Sequence, residues 1–350
     1  MRVAQQVMKM KIFLYEVRKL LTYKSFFIIV LALIIQVLIM FIPHQYEHDY
    51  SDEVYKKYIE QISGEYSYEK RDFIFDRADE INEIIYNHDD VVTAYKRDEI
   101  SLDEFESLNF AYYKALAEEP TVEYLKQKCN YFDELGRGVF FYDTNWTEFF
   151  SGTSYNYIVA LVIICLTIPV FTREYQSNSI SMLLTTRYGR RKVCISKIIT
   201  VVIATFVIAL TIYMLKYATF MCIKGSNASL GVENLIGYNN FPGISLLQYY
   251  VIDTVIKSVS WVVAALFICA VSVLVKSTVF SFFISFIFVV CPYFMAQFFS
   301  GDWFAYLFSA NQLGGMYTRD LNPTLLITSY LIKSAIYAAF SIRMWERRLR

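Results

Sequence analysis

The sequence holds no GxxxxGK(S/T) stretch, no HExxH and no CxxC. The first absence removes the phosphate-binding loop, so any ATP hydrolysis is expected on another polypeptide. Histidine is scarce as well. The three present, His44, His48 and His88, all fall in one polar segment and none in an apolar stretch. An intramembrane protease or acyltransferase needs a histidine or paired carboxylates inside such stretches. His44 and His48 are four apart, and His88 precedes Asp89-Asp90; all three read as exposed polar side chains, and no metal site is assigned. No nucleophile–base pairing stands out, so no catalytic residue is assigned either. Six cysteines are scattered, and only Cys129 lies in the long polar segment, which leaves that segment without a disulfide framework.

Acid is nearly missing from a particular set of places. Segments 1–24 and 172–197, Lys276 and the tail from Arg343 carry seventeen Lys and Arg against three acids, Glu16, Glu174 and Glu346. Segment 44–150 reverses this, with 26 acids and 11 bases. The formal net charge of zero hides this separation. Basic residues beside apolar stretches mark the cytoplasmic side of a membrane. Their clustering there argues against a nucleic-acid partner. At 56% hydrophobic, the composition is that of a membrane protein.

Residues 1–24 read as a helix on the cytoplasmic membrane surface. Val3, Val7, Met10, Leu14, Val17 and Leu21 recur at steps of four and three, with Lys and Arg between them. Residues 25–43 form a first span, uncharged through Ile42 and near the ~20 residues a bilayer needs. No small-x-small site ends it, so a retained anchor is expected rather than a cleaved signal. Segment 44–150 has apolar residues at helical spacing and a capping box, Ser101-Leu-Asp-Glu104. Pro120 is expected to open its last helix and Gly136 to close it. Nothing alternates as strands do. Residues 149–350 hold five further apolar stretches: within Phe149–Thr172, then Ile198–Ile223, Gln248–Val275, Ser277–Gln297 and Pro323–Ile342. The segment 298–322 is aromatic and external, and it suits a re-entrant helix. The prediction is an all-α membrane protein with six transmembrane helices, an N-terminal interfacial helix and an acidic helical ectodomain between spans one and two. Both termini face the cytoplasm.

The loop 172–197 is the chain's most patterned stretch. It begins Phe171, Arg173-Glu174-Tyr175, passes through Leu183-Leu184-Thr185 and Gly189-Arg190, and ends at Ser196-Lys197. Ser177, Ser179 and Ser181 offer caps for a short helix through Leu184. This stretch resembles the permease subunits of type-two ATP-binding-cassette exporters, apart from a proline often found after the leucine pair; Thr186-Arg187 stands there. The resemblance implies a bacterial plasma-membrane permease that exports a peptide, drug or lipid-like substrate. It would pair with a second permease, as homodimer or heterodimer, among membrane lipids. Power would come from a separate ATPase subunit, which holds the ATP and Mg; this chain has no cofactor of its own. It further implies that Glu174, Arg187, Arg190, Arg191 and Lys197 couple the chain to that ATPase. The alternative from another class is a non-transporting sensor or immunity protein whose ectodomain binds an extracellular peptide.

Four charges fall inside expected spans: Lys216, Asp253, Lys257 and Lys333. Each is costly there, by ~2.5–3.5 kcal/mol at the centre, and needs a partner or a cavity. Asp253 and Lys257 are four apart and share a helix face. Counting from the outer ends puts all four in the outer half. They are the candidate substrate path, set against the simpler arrangement in which Asp253 pairs with Lys257 while Lys216 and Lys333 reach outward.

Overall fold

The structure, a computed structural model, describes residues 2–41, 50–151, 154–177, 191–225, 227–238, 242–296 and 323–347. In chain order the helices and strands are α1 (Arg2–Leu20), α2 (Tyr23–Met40), α3 (Asp52–Ile62), β1 (Gly64–Glu65), α4 (Tyr68–Tyr86), α5 (His88–Lys96) and α6 (Leu102–Leu135). They continue with β2 (Val139–Phe140), α7 (Thr144–Ser151), α8 (Ser154–Thr167), α9 (Pro169–Gln176), α10 (Arg191–Ile223), α11 (Leu246–Val275), α12 (Thr278–Ala296) and α13 (Pro323–Arg347). The chain divides into two compact units. One comprises Met1–Pro43, Phe149–Ser226 and Leu247–Arg350; the other comprises His44–Glu148 and Asn227–Leu246.

The first unit is a bundle of apolar helices. Among the described residues, four helical segments are long and apolar enough to cross a membrane: Asn156–Gln176, Arg191–Ile223, Leu246–Val275 and Thr324–Arg347. The pair α1 and α2, bent by 57°, makes a fifth if taken as one span, and α12 contributes the shorter apolar helix Thr278–Pro292. The six full spans expected from sequence therefore appear here as four or five, because α12 is short within the described residues and α1–α2 is broken. The break has a local cause. Thr22 leaves the helical region at φ −75°, ψ 164°, and its side chain accepts from the Ser25 amide, which starts a new helix. A second interruption lies at Ile168, where Pro169 opens α9 without an N–H to donate. Lys276, at φ 62°, turns the chain out of α11. Helix α11 is central, with 72% of its apolar window buried, against 17% for α13. Ala209, Ala264 and Ala265 are buried where α10 and α11 join the core, and small side chains let backbones approach when there is no hydrophobic force between helices. On α13, Leu325, Leu331, Ile332 and Ile336 stay exposed, as lipid-facing residues do.

The second unit is mostly helical around Tyr55, Ile59, Ile62, Ile74, Ile81, Leu125, Cys129 and Phe132. Ser101 caps α6, its hydroxyl accepting from the Glu104 amide as the capping box requires. Three features depart from the sequence reading. Pro120 does not open a helix; it lies inside the continuous α6, which Gly136 closes at φ 66°. An interior proline costs ~3 kcal/mol. Burial of Ala115 before it, and of Val122, Leu125 and Cys129 after it, keeps both halves on one core. A two-residue antiparallel pair also forms, Gly64 against Phe140 and Glu65 against Val139, too short to leave an alternating pattern. Finally, the stretch Lys224–Leu247 reads from sequence as a short external loop between two spans, yet Asn227–Leu246 is grouped with this unit. Asn234 Oδ1 accepts from the Val139 amide at 2.8 Å, and Arg137 lies 3.3 Å from Glu233.

Cys129 is wholly buried, and that burial, then the Asp133 charge, pushes its thiol up to about 12. It is a core residue rather than a reactive one. His88 stacks on Tyr112 at 3.6 Å and meets Asn109 Oδ1 at 3.1 Å. No group of three metal-ligating side chains occurs among the described residues, while His44 and His48 lie outside them. The unit's deepest charge is Lys128. It is fully buried, ion-paired with Asp143, and it donates to Tyr55 Oη at 3.2 Å; Tyr55 in turn donates to Asp143 at 2.6 Å. Breaking a buried pair from one side strands the other charge, at ~3–5 kcal/mol. Lys128→Met should therefore lower the melting temperature of the full chain's helical signal by roughly 10 °C or more. A shift within the scatter of surface variants would show that the pair contributes little.

Candidate functional site

Two polar clusters are built into the apolar bundle. The first is at its charged end. Helix α9 carries Phe171, Glu174 and Tyr175, and the spacing of three and four turns them to one face. Phe171 and Tyr175 pack edge-on against the buried Trp345 of α13, with ring centroids 5.5 and 6.0 Å away. This burial brings Glu174 inward, where it is 1% exposed. Its Oε1 takes Lys19 of α1 at 3.0 Å and Lys197 of α10 at 2.7 Å. Lys197 also donates to Glu16 of α1 at 2.8 Å and to the Val170 carbonyl at 3.0 Å. Two carboxylates and two ammoniums thus neutralise one another. The set joins α1, α9 and α10. Thr278, at the start of α12, meets the Thr172 hydroxyl at 2.9 Å.

Of the five residues assigned from sequence to coupling, Glu174 and Lys197 lie in this network and are buried rather than on the surface. Arg191 is exposed and 3.6 Å from Glu346, a contact of small energetic weight. Arg187 and Arg190 lie outside the described residues, as does the short helix expected through Leu184. Sequence reasoning missed Glu16 and Lys19. A signal for Glu16 was present: it is the lone acid of segment 1–24, as Glu174 is of 172–197.

The second cluster lies within α10 and α11. Asp253 and Lys257 pair at 2.6 Å, both nearly buried. Lys216 is buried too; it donates to the Phe149 carbonyl at 2.8 Å and lies 4.4 Å from that ring's centroid. Next to it, Tyr213 donates to Asn156 at 2.8 Å and accepts from Trp261 at 2.9 Å, while its carbonyl accepts from Tyr250 at 2.6 Å. Gln36 of α2 donates to the Ile212 carbonyl at 2.6 Å. The structure thus brings Lys216, Asp253 and Lys257 together. Lys333 is half-buried on α13, 5.5 Å from the Tyr330 ring.

Over residues 10–340 the chain matches the family model described as ABC-2 family transporter protein. The chain belongs to the ABC-2 transporter permease family. No curated protein and no solved structure matches it. A permease of this family is the membrane subunit of an ATP-binding-cassette transporter and works with an ATPase subunit. In this permease the polar side chains of α2, α8, α10 and α11 converge without a nucleophile–base pair among the contacts described above.

The intramembrane pair makes a testable asymmetry. Asp253→Ala alone leaves Lys257 and Lys216 crowded in a low-dielectric site, at ~3–5 kcal/mol. The double variant Asp253→Ala/Lys257→Met should unfold in detergent closer to the wild type than the single one does. Additive losses from the two substitutions would mean that the pair is not coupled.

Proposed function

We propose that this permease is one half of an ATP-driven exporter in a bacterial plasma membrane, moving a peptide, drug or lipid-like substrate outward. The observation that carries the reading is the lock of Glu16, Lys19, Glu174 and Lys197, which makes α1, α9 and α10 one mechanical body at the charged end of the bundle. By the sidedness of its basic residues that end is cytoplasmic, with both termini, and the acidic segment 44–150 is external. The segment between α9 and α10, with Arg187 and Arg190, is the docking element for the ATPase. A push there is passed to the spans through Glu174 and Lys197 rather than by direct contact of those two with the partner. A second permease, like or unlike, is the counterpart that completes the membrane half of the transporter. ATP closure on the partner subunits then shifts the spans between inward and outward states, and this chain performs no covalent chemistry. Lys216, Asp253 and Lys257 form a polar wall along the path, and Lys333 stands at its side.

An ATP-binding-cassette subunit should co-purify with the full chain in mild detergent. Stable isolation of a transport-inactive chain without one would favour instead a sensor whose acidic unit captures extracellular peptides. In the reconstituted complex, Glu174→Gln, which keeps the shape and removes the charge, should lower substrate-stimulated ATP hydrolysis several-fold while the complex still assembles. Full stimulation in that variant would remove Glu174 from the coupling path.

A further inference from the structure

Beside the lock, the bend between α1 and α2 and the facing walls of α8, α9 and α10 enclose a cavity of about 360 Å³, within the size range of ligand pockets. Its wall has two characters. Ile28, Cys165 and Leu166 make an apolar strip. The charged part of the wall holds Glu16, Glu174, Lys19 and Lys197, which neutralise one another, and Lys24 and Arg173, which remain as an exposed basic rim. Two buried polar atoms of wall residues, Glu174 Oε2 and Thr200 Oγ1, have no hydrogen-bond partner among the described residues. Leaving such an atom unsatisfied is unfavourable, so each calls for a group from outside. The cavity also stands where the apolar helices give way to charge, the depth of lipid headgroups.

We propose that this cavity seats the headgroup of an anionic glycerophospholipid bearing a hydroxyl donor, of which phosphatidylglycerol is the simplest. The phosphate lies against Lys24 and Arg173. A headgroup hydroxyl donates to Glu174 Oε2, and the acyl chains leave along Ile28 and Leu166. A zwitterionic choline lipid satisfies neither demand, having no donor and no net charge to match the rim. The bound lipid touches α2, α9 and α10 together, so it braces the helices that the ionic lock joins. This inference concerns lipid retention alone and stands or falls apart from the ATPase reading.

The full chain is equilibrated in nanodiscs of mixed phosphatidylglycerol, phosphatidylethanolamine and phosphatidylcholine, extracted mildly, and its retained lipid identified by native mass spectrometry. Phosphatidylglycerol should be enriched about thirtyfold over phosphatidylcholine, as two basic residues at a membrane surface produce. The exposed double variant Lys24→Gln/Arg173→Gln should lose that enrichment, and excess inorganic phosphate should not displace the lipid. Leu166→Trp, which fills the cavity, should lose retained lipid of every kind; if it does not fold, Thr200→Val should still lower phosphatidylglycerol retention. Equal retention of the lipids, preference for phosphatidylethanolamine, unchanged enrichment in Lys24→Gln/Arg173→Gln, or displacement by inorganic phosphate would each overturn the proposal.

Discussion

Lys197 holds two carboxylates in a place where neither could stand alone. Glu16 and Glu174 are far apart in the chain, and both are buried at the charged end of an apolar bundle. Burying a lone ion costs several kcal/mol even after relaxation. The geometry offsets this by pairing: Lys197 meets both acids, Lys19 shares Glu174, and the Val170 carbonyl takes a further bond. Positions of α1, α9 and α10 follow from that requirement, since moving any one of them strands a charge. The packing of Phe171 and Tyr175 on Trp345 brings α13 to the same block.

The same rule recurs in two other places. Within the spans, Asp253 lies against Lys257, and Lys216 finds a backbone carbonyl and an aromatic face. In the acidic unit, Lys128 is closed in by Asp143 and Tyr55. The uses differ. Lys128 organises the core of the second unit, whereas Tyr213, Asn156 and Trp261 form a hydrogen-bonded polar set within the apolar bundle. The charged-end lock joins α1, α9 and α10, and its four residues also line the cavity beside it. Coupling of this kind needs a bistable element biased by both sites, and the block of α1, α9 and α10 supplies a candidate for it.

How much of this was legible in the sequence depended on range. Charge-free stretches and the sidedness of Lys and Arg are local signals, and they announced the apolar helices and the family loop. Ser101 and Glu104 announced the start of α6 for the same reason. The pairing of Lys197 with Glu16 spans 181 positions, and no local pattern encodes it. Glu174 stood out in sequence as the lone acid of its loop, but its burial follows from the ring packing at Trp345, which is tertiary. Pro120 misled because proline's local preference for a helix start was outweighed by the core on both sides of it. Residues 227–246 read as a free loop because their partners, Val139 and Arg137, are about ninety residues upstream.

The central claim is that Glu16 and Lys197 act as one unit across the bundle. A double-mutant cycle with Glu16→Gln and Lys197→Met, read by unfolding of the full chain in detergent, tests it most directly. The account predicts an interaction energy of about 1–3 kcal/mol, with the double variant less damaged than the two single losses together imply. Losses that add to within about 0.5 kcal/mol would show that α1 is not locked to α10, and would contradict the account.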